Sequence, residues 1–284
     1  MNRKVMLPDG TKTDAIGQGT WFLGEGNHSR AQEREALLAG IDAGMALIDT
    51  AEMYGEGKAE ELVGETISGL PKENLFLVSK VYPHNAGRNR IFDCCEQTLR
   101  RMRTDYLDLY LLHWRGSVPL AETVACMEEL VSRGKIRRWG VSNFRLHDME
   151  ELWSLPGGRH CAVNQLCYHL ASRGIEYDLL PWMRSHSVPA MAYCPLAQGG
   201  ELRKGLFESA AVKQVAEKHA ATIPQILLSF VIRSGDIIAI PRASQAEHAI
   251  ANAKASEIFL DEEDLAILNQ AFPAPDHAVP LDVV

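Results

Sequence analysis

No stretch of this chain approaches the roughly 20 consecutive apolar residues of a membrane span, and the opening MNRKVMLPDGTKTDAIGQG has no apolar run long enough for a signal peptide. Neither export nor anchoring is expected. Basic charge is also scarce: 29 Lys and Arg stand against 37 Asp and Glu, for a formal net charge of -8. That balance argues against nucleic acid or an anionic membrane as partner, since both call for a basic stripe. Six cysteines, Cys94, Cys95, Cys126, Cys161, Cys167 and Cys194, form no CxxC pair and no regular framework. They read as reduced, buried thiols of a cytoplasmic protein, with neither a disulfide scaffold nor a metal site. Nor is there a Ser/Pro-rich linker, a charge block or a low-complexity tract, so residues 1–284 are expected to form a single domain.

What is present is alternation. Short runs rich in Val, Ile, Leu and Tyr are separated by longer amphipathic stretches, the pattern of strand and helix units around a parallel sheet. Candidate strand ends fall at Gly19, Asp49, Lys80, His113, Ser142, Gln165, Tyr193 and Ile240. Most are spaced by roughly 23 to 33 residues, enough for one strand and one helix. The last interval is longer and holds two helical stretches, Ser209 to His219 and Ile223 to Arg233, so one helix is extra. Ser29 with Glu33 opens an amphipathic run that places Leu37, Leu38 and Ile41 on one face and ends at Gly44; Thr222-Ile-Pro224 opens another helix. Eight units in one α/β domain predict a (β/α)8 TIM barrel; a doubly wound open sheet, the rival, predicts fewer strands.

Barrels gather their reactive groups where strands end. Asp49 closes MALID, Tyr54 follows five residues later, Lys80 closes LFLVSK and His113 closes LYLLH. Singly, each is explicable as packing: an internal Asp-Lys pair, a core histidine. Four ionisable groups on one rim are costly to bury unless paired. A Lys ammonium beside a phenol is expected to lower the Tyr54 pKa and make it a usable proton donor, with Asp49 keeping Lys80 charged and neutral His113 orienting a carbonyl oxygen. Carbonyl reduction suits such a set, and the hydride must come from a bound nicotinamide. The Gly17-Gln18-Gly19-Thr20-Trp21 start is not a dinucleotide fingerprint, because Phe22 stands where a third glycine is needed.

At these residues the chain resembles the aldo-keto reductase family. LIDTAEMYGEGKAEELVGE, LFLVSKVYP, YLDLYLLHW, GKIRRWGVSNF, NQLCYHL, AYCPLAQG and IIAIPRAS follow the family's order and approximate spacing. The resemblance implies a (β/α)8 barrel that binds NADPH without a Rossmann fold, with Asp49, Tyr54, Lys80 and His113 as the catalytic tetrad and Tyr54 as general acid. It also implies cofactor contacts from Gly19, Thr20, Trp21, Asp49, Ser142, Asn143, Gln165, Tyr193, Pro195, Leu196, Arg242, Ser244, His248 and Asn252. Ser142, Asn143 and Gln165 would hold the nicotinamide carboxamide, Tyr193 would stack on its ring and Arg242 would meet the 2'-phosphate. Ala243 and His248 depart from the family's usual Ser or Thr and Arg, which narrows the preference for NADPH over NADH. Cys194 replaces a frequent Ser. Trp21, Tyr82 and Trp114 would wall the substrate pocket, which the short C-terminal segment leaves open. The expected protein is a monomer that reduces small aldehydes and α-dicarbonyls such as methylglyoxal. A Schiff-base lyase or aldolase using Lys80 and a non-catalytic NADPH-binding regulator are the alternatives.

Overall fold

A computed structural model describes residues 3–283. The chain opens with a hairpin, β1 (Lys4–Met6) against β2 (Lys12–Asp14), paired antiparallel with Val5 opposite Thr13. Eight parallel strands follow: β3 (Gln18–Gly19), β4 (Leu47–Asp49), β5 (Phe76–Val81), β6 (Leu109–Leu112), β7 (Trp139–Ser142), β8 (Asn164–Cys167), β9 (Ala190–Tyr193) and β10 (Ile237–Ala239). Each pairs with the next in sequence. The last returns to the first: Gly17 N–H donates to Ala239 O at 2.8 Å and Gly19 N–H to Pro241 O at 3.0 Å. That closure makes the sheet a barrel, and it explains Gly19, where a Cβ would sit 2.7 Å from Ile240 O. Both faces of the strands are covered, so they read as continuous apolar runs; all six residues of β5 are buried.

Around the barrel lie α1 (Arg30–Asp42), α2 (Lys58–Thr66), α3 (Ile91–Met102), α4 (Leu120–Ser132), α5 (Leu146–Ser154), α6 (Leu179–Ser185), α7 (Gly200–Glu208), α8 (Ala210–Lys218), α9 (Ile223–Val231), α10 (Ala246–Lys254) and α11 (Glu262–Ala271). Ser29 caps α1 by accepting from Gln32 N–H at 3.2 Å. Thr222 and Gln225 form a capping box on α9. The buried face of α1 differs from the expected one: Glu33, Ala36, Leu37 and Gly40 face inward, while Leu38 and Ile41 are half-buried. The cause is Gly40, which seats the helix against the Gln18 side chain; Gln18 Nε2 in turn donates to Leu37 O and Met45 O. The interval before β10 holds three helices, α7 to α9, rather than two.

The hairpin lies across the N-terminal ends of the strands. Asp14 Oδ2 accepts from Ala46 N–H just ahead of β4, and Asp9 pairs at 2.7 Å with Arg138 just ahead of β7. Val5 and Leu7 are buried beneath it. At the opposite end the tail after α11 runs beside the loop following β8: Ser172 Oγ donates to Asp282 Oδ2 and Arg173 donates to Phe272 O. The six thiols are free, and Cys94 and Cys194 are only half-buried, a departure from the expected burial of all six. No helix among the described residues is long and apolar enough to cross a membrane.

Candidate active site

Strand ends converge on one deep cavity of about 460 Å³ at the C-terminal mouth of the barrel. At its floor, Lys80 Nζ donates to Asp49 Oδ2 at 2.7 Å, Thr50 O at 2.9 Å and Tyr54 Oη at 3.0 Å. All three ammonium protons are used, and the side chain is fully buried. The chain folds this way locally because Lys80 stands on β5 directly beside β4, which ends in Asp49, and the loop after β4 turns back through Tyr54 N–H to Ala51 O at 3.0 Å.

Burial pulls the Lys80 ammonium down, but Asp49 and Tyr54 together outweigh it and hold it above its ordinary value of 10.5. Burial pushes Asp49 up against the pull of Lys80 and Gln165. Tyr54 corrects the sequence expectation. Burial raises the phenol above 10.0, Lys80 pulls it back, and Asp49 raises it again, with a net upward shift. The phenol therefore stays protonated, with a proton available to donate. Lys80 limits the rise instead of reversing it.

His113 completes the floor, its ring edge-on to Tyr54 with 5.8 Å between centroids. Burial and the Lys80 charge push its pKa down to about 2, so it is neutral. Its Nδ1 is buried without a partner. An orphaned lone pair is cheaper than an orphaned N–H, which places the single proton on Nε2.

Higher on the wall, Gln165 Nε2 donates to Asp49 Oδ1 at 2.8 Å, and Tyr193 Oη donates to Asn143 Oδ1 at 2.8 Å. Ser142 Oγ donates to Gln165 O, and Asn143 Nδ2 to His113 O. Asn143 and Cys194 hold positive φ, 60° and 48°, as the chain turns out of β7 and β9. Gly19, Thr20, Trp21, Pro195, Leu196 and Arg242 also line the cavity. Ser244, His248 and Asn252 are not part of that lining: His248 is exposed and Asn252 is buried within α10. Trp21 and Trp114 line it, whereas Tyr82 stands behind Trp114, edge-on at 5.9 Å.

Phe22, Met53, Cys194, Ala197, Gln198, Arg203, Ile240 and Pro241 line the cavity as well and were not among the expected site residues. Arg203, on α7, donates to Leu196 O and Ala197 O, and its guanidinium is pushed down first by burial and then by the Arg242 charge. Neither arginine has a carboxylate in salt-bridge range among the described residues. Two lining cations without an acid would suit an anion in a cavity that also holds a phenol and a neutral imidazole. A flat tyrosine ring in the same lining fits a ligand with a planar head and an anionic tail, the shape of a nicotinamide dinucleotide.

A closed eight-stranded parallel barrel with an Asp-Tyr-Lys-His floor at its C-terminal mouth defines the class, a barrel oxidoreductase acting on carbonyl groups. The chain belongs to the aldo/keto reductase family, whose model matches residues 15–272. It is 54% identical to methylglyoxal reductase YeaE of Escherichia coli (strain K12) over 95% of each chain. Glyoxal reductase of Bacillus subtilis (strain 168) is 34% identical, with 92% of this chain and 90% of that one covered. Among solved structures, an aldo/keto reductase from Klebsiella pneumoniae in complex with NADP and acetate is 53% identical, with TM-score 0.97 over 100% of both chains.

Proposed function

We propose that this reductase uses NADPH to reduce small aldehydes and α-dicarbonyls, methylglyoxal among them, with Tyr54 as general acid. The observation that carries the reading is the Tyr54 phenol: protonated, held 3.0 Å from the Lys80 ammonium and lining the cavity beside neutral His113. A reduced nicotinamide bound there supplies the hydride. Asp49, Thr50 and Tyr54 fix the Lys80 charge, and that charge favours the phenolate left when Tyr54 gives up its proton. His113 Nε2–H orients the carbonyl oxygen toward the phenol and stabilises charge as it develops. Asn143 and Gln165 offer amide groups to the carboxamide, the Tyr193 ring a stacking face, and Arg203 and Arg242 the positive charge for phosphates. Trp21 and Trp114 give the carbonyl an aromatic wall. NADH is the weaker cofactor, because only NADPH carries the adenosine 2'-phosphate that Arg242 would meet.

Names of relatives support the substrate class: both curated reductases cited above are named for dicarbonyls. The Schiff-base reading is disfavoured by Lys80 itself, since an ammonium with three acceptors has no lone pair to attack a carbonyl. Purified protein is to be assayed with methylglyoxal and 4-nitrobenzaldehyde, with NADPH and NADH in parallel. Loss of NADPH absorbance on both carbonyls is expected, with no borohydride-trapped adduct on Lys80. Failure to reduce either carbonyl above a no-enzyme control overturns the proposal and favours a non-catalytic binding role.

A further inference from the structure

Two residues before Tyr54, the Glu52 side chain turns away from the cavity and is only 9% exposed. No cation reaches it: it forms no ion pair among the described residues. Its Oε1 instead accepts from Tyr82 N–H at 2.7 Å and from Asn85 Nδ2 at 3.0 Å, while its own backbone N–H donates to Lys80 O at 3.3 Å. A buried carboxylate without a counter-charge is costly, and here the cost is met by N–H donors from the segment that carries Tyr82.

The contacts close a circuit. Glu52 holds Tyr82; the Tyr82 ring is edge-on to Trp114 at 5.9 Å; Trp114 leans on His113 at 4.9 Å; and His113 is edge-on to Tyr54 at 5.8 Å. Tyr54 returns to Glu52 through Met53. Beyond the backbone pairing of β4 and β5, this carboxylate links the loop that bears the proton donor to the loop that backs the aromatic wall. We propose that Glu52 is a positioning residue that sets the spacing between Tyr54 and the wall face of Trp114, which Tyr82 backs. The inference rests on the reading of Tyr54 as proton donor.

Two consequences separate this role from general support. Displacing the donor slows the chemical step on every carbonyl, while loosening the wall weakens binding only of carbonyls large enough to touch it. In the full-length chain, Glu52→Ala is expected to lower kcat about tenfold on both methylglyoxal and 4-nitrobenzaldehyde and to raise KM about tenfold on the aromatic aldehyde alone. NADPH Kd, read by fluorescence quenching, stays within about twofold. Glu52→Gln, which keeps an acceptor at the same reach, restores both parameters to within about threefold. Should Glu52→Ala not fold, Glu52→Asp, one methylene too short, is to show the same split. Unchanged kinetics, an equal KM rise on both carbonyls, a parallel loss of NADPH binding, or no rescue by Gln each overturns the role. A wild-type protein that reduces neither carbonyl removes the donor reading instead, whereas an active wild type matched by Glu52→Ala removes only the Glu52 inference.

Discussion

Gln165 Nε2 donates to Asp49 Oδ1 at 2.8 Å across the barrel mouth, from β8 to β4. A carboxylate can only accept, so this contact fixes which end of the Gln165 amide is nitrogen. The same nitrogen lies 2.9 Å from Met191 Sδ. A ligand that reached Gln165 would therefore meet an acceptor, Oε1, while the amide nitrogen holds the Asp49 carboxylate.

Tyr54→Phe keeps the ring and removes the proton. The rate of carbonyl reduction is expected to fall by about 10² or more, with NADPH Kd changed by less than about threefold. Because burial holds the Tyr54 phenol above 10.0 and His113 is neutral down to about 2, wild-type kcat/KM for reduction should be flat between about pH 6 and pH 9. A stopped pH series checks this; a steep loss toward pH 9 contradicts the protonated phenol.

Lys80→Met leaves Asp49 buried with no cation. Breaking a buried pair from one side costs about 3–5 kcal/mol, so urea unfolding should shift to a markedly lower midpoint. Adding Asp49→Asn to Lys80→Met should recover part of that loss while activity stays absent. A double variant no more stable than the single would mean that the pair is not the source.

Acid should weaken the fold from pH 7 downward. Burial and the Lys80 charge push His113 from an ordinary 6.5 down to about 2, and burial pushes His169, in the loop after β8, down to about 4. Between the folded and ordinary values the unfolded chain binds a proton that the folded chain does not. Stability therefore falls as pH drops below about 6.5, by up to about 1.4 kcal/mol per pH unit for each histidine. His169→Asn should flatten that slope in urea titrations at pH 7, 6 and 5; parallel lines for variant and wild type would refute it.

Arg242→Ala should raise NADPH Kd by about tenfold or more and NADH Kd by less than about threefold, as a lost charge-assisted contact to one phosphate predicts. Arg203→Ala should weaken both cofactors, since Arg203 also anchors Leu196 O and Ala197 O. Equal effects of Arg242→Ala on the two dinucleotides would mean that it does not meet the 2'-phosphate.

Asp49, Lys80 and His113 were visible in sequence because each ends an apolar run at or within one residue of a strand end. The barrel was visible for the same reason. The hairpin was not: β1 and β2 are three residues each and too short for any period to register. Helix α7 buries Leu206 alone and contains two glycines, so it shows almost no apolar face, and Arg203 was missed with it. The sign of the Tyr54 shift could not be read because proximity to Lys80 is suggested by spacing, while the depth of burial is a property of the whole fold. Glu52 stayed hidden because its acceptor role depends on Tyr82 and Asn85, some 30 positions on.

The β1–β2 hairpin stoppers the foot of the barrel, from Ala46 ahead of β4 to Arg138 ahead of β7. With that hairpin below, the cavity that holds the Tyr54 phenol lies at the opposite mouth, so a dinucleotide and a carbonyl bound there as proposed would share one side of approach.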